Sequence, residues 1–88
     1  MTADEARFRL LVGLSWALRQ ERRTSTVVVP YMGETVLYVS FPQRPGRRLA
    51  VGAAQYMGGW LFTWGRDGQA NADRIDQAAR TIARQVAS

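Results

Sequence analysis

The clearest hydrophobic pattern in the chain is an alternation of apolar and small residues over positions 48–66, interrupted by Gly58-Gly59. A period of two predicts β-strands, and two glycines between such runs predict a tight hairpin turn, because both residues can take positive φ. The cross-strand partners predicted by this turn are Met57 with Trp60, Gln55 with Phe62 and Ala53 with Trp64. The three rings then share one face. We interpret it as the core side, and a ligand-binding or base-stacking platform is the alternative.

Helical spacing of apolar residues predicts one helix at each end of the chain. The first covers Ala3–Arg23, with Thr2 as its N-cap. The last begins after Asn71, which we expect to be its N-cap, and its apolar stripe runs to Val86. Trp16 falls on the polar side of the first helix. There it is either a contact residue for a partner or a ring covered by arginine stems.

Two further strands are predicted before the central hairpin. Thr26–Tyr31 and Thr35–Phe41 are rich in β-branched residues, and a short turn joins them. Pro30 cannot donate a ladder hydrogen bond, which favours an edge position for the first of these strands. The sequence does not determine which side chains of that strand face the core. A three-residue turn places Val27 with the core, and a two-residue turn places Val28 there instead.

The predicted element order is helix, four strands, helix, in one domain of residues 1–88. We therefore expect an α+β fold in which a four-stranded antiparallel meander carries both terminal helices on one face. The other sheet face stays uncovered and is too apolar to suit contact with water. Its predicted members are Val36, Tyr38, Ala50, Gly52, Ala54, Tyr56, Leu61 and Thr63.

Composition removes several classes of chemistry. The chain has no Cys and no His, which excludes disulfides, thiolate chemistry, imidazole catalysis and ordinary zinc sites. Its carboxylates fall at predicted helix ends and turns, where capping and solubility explain them, and no glycine-rich segment has the context of a phosphate-binding loop. We expect no enzyme activity, no catalytic residue, no cofactor and no metal site.

The net charge of the chain and the polar residues near its N-terminus bear on its location and its partners. No segment reaches the roughly 18–20 apolar residues of a membrane span and the start does not resemble a signal peptide, so we expect a cytoplasmic protein without a membrane partner. The formal net charge is +5, and all 12 basic residues are arginine. This bias is typical of GC-rich codon usage and weakens a nucleic-acid interpretation. Arg44, Arg47 and Arg48 surround Pro45-Gly46, in a loop that is either anion-binding or a solvated turn.

One motif carries a resemblance. Gly59, Trp60, Phe62 and Trp64, in an alanine-rich chain without lysine that closes on a helix of Ala, Ile and Val, resemble the corresponding strand of small actinobacterial proteins with the order helix, four strands, helix. The resemblance covers the last third of the chain. It implies a cytoplasmic bacterial accessory protein and brings no established activity with it.

These observations predict a non-enzymatic protein-interaction module, either a homodimer or an adaptor for another protein. A domain of this size buries only about 60–65% of the surface of its unfolded chain, so a partner would add stability. The predicted interaction surface comprises Trp16, Val36, Tyr38, Tyr56, Leu61 and Thr63. One alternative is nucleic-acid binding, with phosphate contacts from Arg22, Arg23, Arg44, Arg47 and Arg48 and base stacking on Tyr38 and Tyr56. The other is a small apolar ligand held against the aromatic face.

Overall fold

The computed structural model describes residues 2–22, 26–31 and 33–87, with backbone only at Arg22 and Tyr31. The elements are α1 (Ala3–Arg22), β1 (Thr26–Tyr31), β2 (Glu34–Ser40), β3 (Arg48–Tyr56), β4 (Gly59–Trp64), β5 (Gly68–Asn71) and α2 (Ile75–Ala87). The described strands form one antiparallel sheet in the order β1-β2-β3-β4-β5. The predicted α+β meander is confirmed, with five strands instead of four. The prediction that the first helix reaches Arg23 lies outside the described residues.

The additional strand is β5. The sequence pattern predicts a turn over residues 66–70, but the turn occupies only residues 65–67, and Gly68–Asn71 pairs with β4. Gly68 lies directly against the indole ring of Trp64, so closely that any Cβ at this position would overlap the ring. The four residues Gly-Gln-Ala-Asn have no apolar alternation, and the hydrophobic pattern therefore does not mark them as a strand.

The start of α2 also differs from the prediction. The helix begins at Ile75, so Asn71 is not its N-cap. Instead, the Asp73 N–H donates to Asn71 Oδ1 at 2.8 Å, and the Arg74 N–H donates to the Asn71 carbonyl oxygen at 3.2 Å. Asn71 therefore closes an Asx turn that leads into the helix. At the other end of the chain the predicted cap is confirmed, because the Glu5 N–H donates to Thr2 Oγ1 at 3.1 Å.

The central hairpin turns one residue earlier than predicted. Met57 and Gly58 have φ of 49° and 80°, the pair of positive angles that a type I′ turn requires. The observed cross-strand partners are Gln55 with Trp60, Ala53 with Phe62 and Val51 with Trp64. This register places alanine instead of glutamine beside Phe62, which leaves room for the ring. Met57, predicted to face the core, is 87% exposed in the turn.

The turn between β1 and β2 has two residues, which is one of the two lengths that the sequence left open. Tyr31 pairs with Glu34, so two residues separate the strands; Met32, one of them, lies outside the described residues. This pairing places Val28 on the core side and Val27 on the other face. β1 is at the edge of the sheet, as Pro30 predicts.

Both helices pack on one face of the sheet, as predicted, and the core lies between these layers. Its largest fully buried side chains are Leu11, Leu14, Leu18, Leu37, Val39, Val51, Phe62 and Ile82. Two polar residues are also buried there. The hydroxyl oxygens of Ser15 and Thr26 are hydrogen-bonded at 2.5 Å, which ties α1 to β1.

The aromatic face of the hairpin belongs to this core. Phe62 is fully buried and Trp64 is 5% exposed, whereas Trp60 is half-buried at the rim. Arg7 covers that rim: its guanidinium carbon is 5.6 Å from the centroid of the Trp60 ring, and its Nε–H donates to the Ala53 carbonyl oxygen at 3.0 Å. The interpretation of the rings as core residues is confirmed.

Candidate protein-interaction surface

The sheet has one face turned away from both helices, and we call it the open face. Side chains alternate across each strand, so the residues that neighbour buried positions point to this side. Its members are Val27, Val29, Glu34, Val36, Tyr38, Ser40, Arg48, Ala50, Gly52, Ala54, Tyr56, Leu61, Thr63, Gln69 and Asn71. No helix or strand of the described residues covers it.

The open face has low relief, because larger side chains alternate with small ones across the strands. Leu61 lies between Ala54 and Asn71. Tyr38 lies similarly between Val27 and Ala50. Tyr56 at the hairpin end is 60% exposed and Val27 on the edge strand is 45% exposed. The face thus presents apolar and small side chains to water in a nearly continuous layer.

Charged side chains occur only at the two ends of the open face, among the described strand residues. Glu34 begins β2, beside the β1–β2 turn. Arg48 begins β3 and pairs with Ser40 at the other end of β2. Both charged residues are exposed. Glu34 and Ser40, which mark the two ends, are six positions apart along β2, which corresponds to about 20 Å along the strand. The centre of the face is uncharged.

Trp16 is not part of the open face. It lies on α1, in the helical layer, where it is 60% exposed and the Arg19 guanidinium carbon is 5.5 Å from its ring centroid. An arginine therefore contacts the ring without covering it. The predicted interaction surface is divided accordingly: Val36, Tyr38, Tyr56, Leu61 and Thr63 share the open face, and Trp16 stands on the other side of the molecule.

Two exposed apolar residues near these surfaces were not part of the predicted set. Phe8 on α1 is 52% exposed, and Val12 and Trp16 follow it at four-residue intervals, a spacing that places them along one side of a helix. Val27 joins the open face because of the two-residue turn before β2. The helical spacing was visible in the sequence, but the facing of Val27 depended on the length of that turn.

The arginine loop is a compact turn. The Arg44 N–H donates to the Phe41 carbonyl oxygen at 3.2 Å, and the Phe41 N–H donates to the Arg47 carbonyl oxygen at 3.1 Å. The Arg47 guanidinium carbon is 5.8 Å from the Phe41 ring centroid. Arg44, Arg47 and Arg48 are all exposed, and in the described part of the chain none forms an ion pair. The Arg22 side chain and Arg23, also predicted to contact phosphate, lie outside the described residues.

Other kinds of site have little support in residues 2–22, 26–31 and 33–87. This portion contains no group of three acidic, histidine or cysteine residues able to hold a metal ion. None of its helices is long and apolar enough to cross a membrane. Two open surface depressions, one lined by residues 73–77 and 80 and one lined by residues 64–68 and 85, both have acidic and basic side chains in their lining. Neither provides an apolar enclosure for a small ligand.

Comparisons of the chain with known protein families, curated proteins and solved structures give no match. The resemblance to actinobacterial proteins therefore stays a prediction.

Proposed function

We propose that this protein is a non-enzymatic protein-interaction module whose open face binds the same face of a second copy. The observation that supports this is a five-stranded sheet with helices on one side and, on the other, a low-relief layer whose centre is uncharged. Covering such a layer removes apolar surface from water, which is the main favourable contribution to association. As a further part of the proposal, the protein acts in the cytoplasm of a bacterium.

The size of the face sets the expected strength of the dimer. Five strands span about 24 Å and six residues span about 20 Å, so the face covers about 480 Å² in projection. Two such faces together bury about 1,000 Å², the lower limit for a specific interface. We therefore expect a dimer that dissociates on dilution instead of an obligate one.

A second copy is a suitable partner because the centre of the face carries no charge. Each copy has a formal net charge of +5, so two copies repel each other wherever charged surfaces meet. The open face lets them approach without placing like charges at the centre of the contact. A twofold arrangement uses the same patch on both copies and closes the assembly at two.

The first test is solution molar mass by light scattering over a range of protein concentrations. Ala50→Glu places a charge on the middle strand of the open face, beside Tyr38 and away from Glu34, without removing a buried side chain, and we expect it to give a monomer at concentrations where the unchanged protein is a dimer. Ala3→Glu makes the same change at an exposed position of α1 and is the matched control. Trp16→Ala tests the helical layer and is expected to leave the molar mass unchanged.

The outcomes separate the possible partners. A dimer that survives Ala50→Glu but is lost with Trp16→Ala would move the interface to α1. A protein that is monomeric at every concentration would refute self-association, and the open face would then be examined as an adaptor surface for another protein. Circular dichroism of each variant shows whether a change in mass reflects unfolding.

Nucleic-acid binding is the second candidate, and the arginine loop favours it. Arg44, Arg47 and Arg48 are exposed and carry no ion pair among the described residues, so they are available to phosphate. Retention on single-stranded DNA or RNA columns is the test. Binding at low ionic strength that falls steeply with salt, and weakens with Arg44→Glu, would support this candidate, whereas no retention at low salt would exclude it.

A further inference from the structure

The charges at the two ends of the open face restrict how two copies can stack. Glu34 and Arg48 are both exposed and point to this face, Glu34 at the start of β2 and Arg48 on β3 beside the other end of β2. They have opposite signs, and the described strand residues between them are uncharged. An interface built from this face therefore has a negative end and a positive end.

Two twofold arrangements stack the faces with the strands of the two copies aligned. When the axis lies in the interface and runs parallel to the strands, both copies keep the same direction, and Arg48 of one copy meets Arg48 of the other. When the axis runs across the strands, the copies are reversed, and each Glu34 meets the Arg48 of the other copy. The first arrangement places like charges together and the second places opposite charges together.

We propose that the two copies stack with their β2 strands antiparallel, so that Glu34 of each copy pairs with Arg48 of the other. This inference rests on the proposed dimer through the open face. Packed sheets lie about 10 Å apart, a gap that an extended glutamate and an extended arginine bridge together. Glu34 and Arg48 lie on neighbouring strands, so the lateral offset between them across the dimer is about one strand spacing, or about 4.8 Å. The two pairs are equivalent by symmetry and lie at the rim, where charges determine orientation more than affinity.

Charge reversal tests the orientation. Glu34→Arg or Arg48→Glu alone replaces two attractive contacts per dimer by two repulsive ones. We expect each to raise the dimer Kd about tenfold at low salt, since rim pairs are individually weak but occur twice. The double variant Glu34→Arg/Arg48→Glu restores opposite charges at both contacts, so its Kd returns to within about threefold of that of the unchanged protein. Matched controls are Glu21→Arg on α1 and Arg66→Glu in the β4–β5 turn, both exposed and off the face.

Two results would overturn the proposed orientation. One is a dimer Kd for the double variant that is no lower than the higher of the two single-variant values. The other is a dimer Kd for the single variants that equals the Kd of their controls. If Ala50→Glu nevertheless abolishes the dimer, the proposed function stands and only the orientation is wrong. If the unchanged protein never dimerises, both proposals fail.

A distance measurement gives an independent readout. The chain has no Cys, so Gln43→Cys in the exposed loop before β3 can carry a unique spin label. In the antiparallel dimer the two labels lie at opposite ends, on the order of 30 Å apart. In the parallel arrangement the two loops adjoin, and a label distance below about 20 Å would refute the antiparallel arrangement.

Discussion

Replacing Gly68 by alanine is expected to be one of the most damaging single-methyl changes in this chain. A Cβ at this position would overlap the indole of Trp64, with Nε1, Cδ1 and Cε2 as the nearest atoms. The Gly68 backbone is not in the left-handed region, so the cost is steric and does not come from the backbone conformation. Trp64 is 5% exposed, and a rigid buried ring has little freedom to move away.

The expected magnitude follows from overpacking. Inserting one methyl group into a well-packed core costs about 1–3 kcal/mol. We expect about 3 kcal/mol here, at the upper end of that range, because the methyl meets a ring instead of a flexible side-chain end. For a domain of this size 1 kcal/mol corresponds to about 4–8 °C in Tm, so Tm should fall by roughly 12–24 °C.

The assay is thermal and urea unfolding followed by circular dichroism, with Gly13→Ala as a matched control. A Cβ at Gly13 would have Ile75 Cδ1, the end of a side chain, as its neighbour at 3.4 Å, an ordinary van der Waals contact. Because alanine favours helices over glycine by about 0.5–1 kcal/mol, this control should stabilise the protein. Replacing glycine by alanine is thus expected to lower the free energy of unfolding at Gly68 and to raise it at Gly13.

A double-mutant cycle isolates the ring contact. Trp64→Leu destabilises the protein by itself, but in that background Gly68→Ala should cost less than about 1 kcal/mol, because the ring is gone. An equal cost in both backgrounds would refute the explanation by overlap, and so would a single Gly68→Ala variant within about 0.5 kcal/mol of the unchanged protein.

Two further predictions concern the central hairpin and the contact between α1 and β1. Met57→Asn should raise the free energy of unfolding by about 1 kcal/mol, because Met57 occupies a positive φ that asparagine tolerates better; an unchanged urea midpoint would contradict this. Ser15→Ala should lower the free energy of unfolding by about 1–3 kcal/mol, since the buried Thr26 hydroxyl loses its partner. Thr26→Val in the Ser15→Ala background should recover part of that loss, and a further loss would show that the hydroxyl pair is not the cause.

The open face could be predicted from the sequence even though its register could not. Moving the hairpin turn from Gly58-Gly59 to Met57-Gly58 changes the cross-strand partners but shifts the pairing by two residues, so each side chain keeps its face. This is why Tyr56 and Leu61 remain on the same side in both registers. The turn itself was harder to predict, since Met57 adopts a conformation that the sequence pattern assigns to glycine.

Features without hydrophobic periodicity could not be predicted in this way. β5 is formed by small and polar residues, and the fit between Gly68 and Trp64 depends on tertiary packing. The facing of Val27 depended on a turn length that composition does not determine. The exposed charges of the open face were visible in the sequence, but their placement at opposite ends required the register of β2 with its two neighbours.

Pro30 has a consequence for how far this protein can assemble. In a hairpin with a two-residue turn, Tyr31 and Glu34 form a hydrogen-bonded pair, so the backbone nitrogen of Pro30 is directed to the free edge of β1. A strand arriving from another molecule would find no N–H donor there. At the opposite edge β5 offers only four residues. The sheet is therefore poorly suited to grow sideways into a filament, and a protein that joins through its face can stay a small, finite particle.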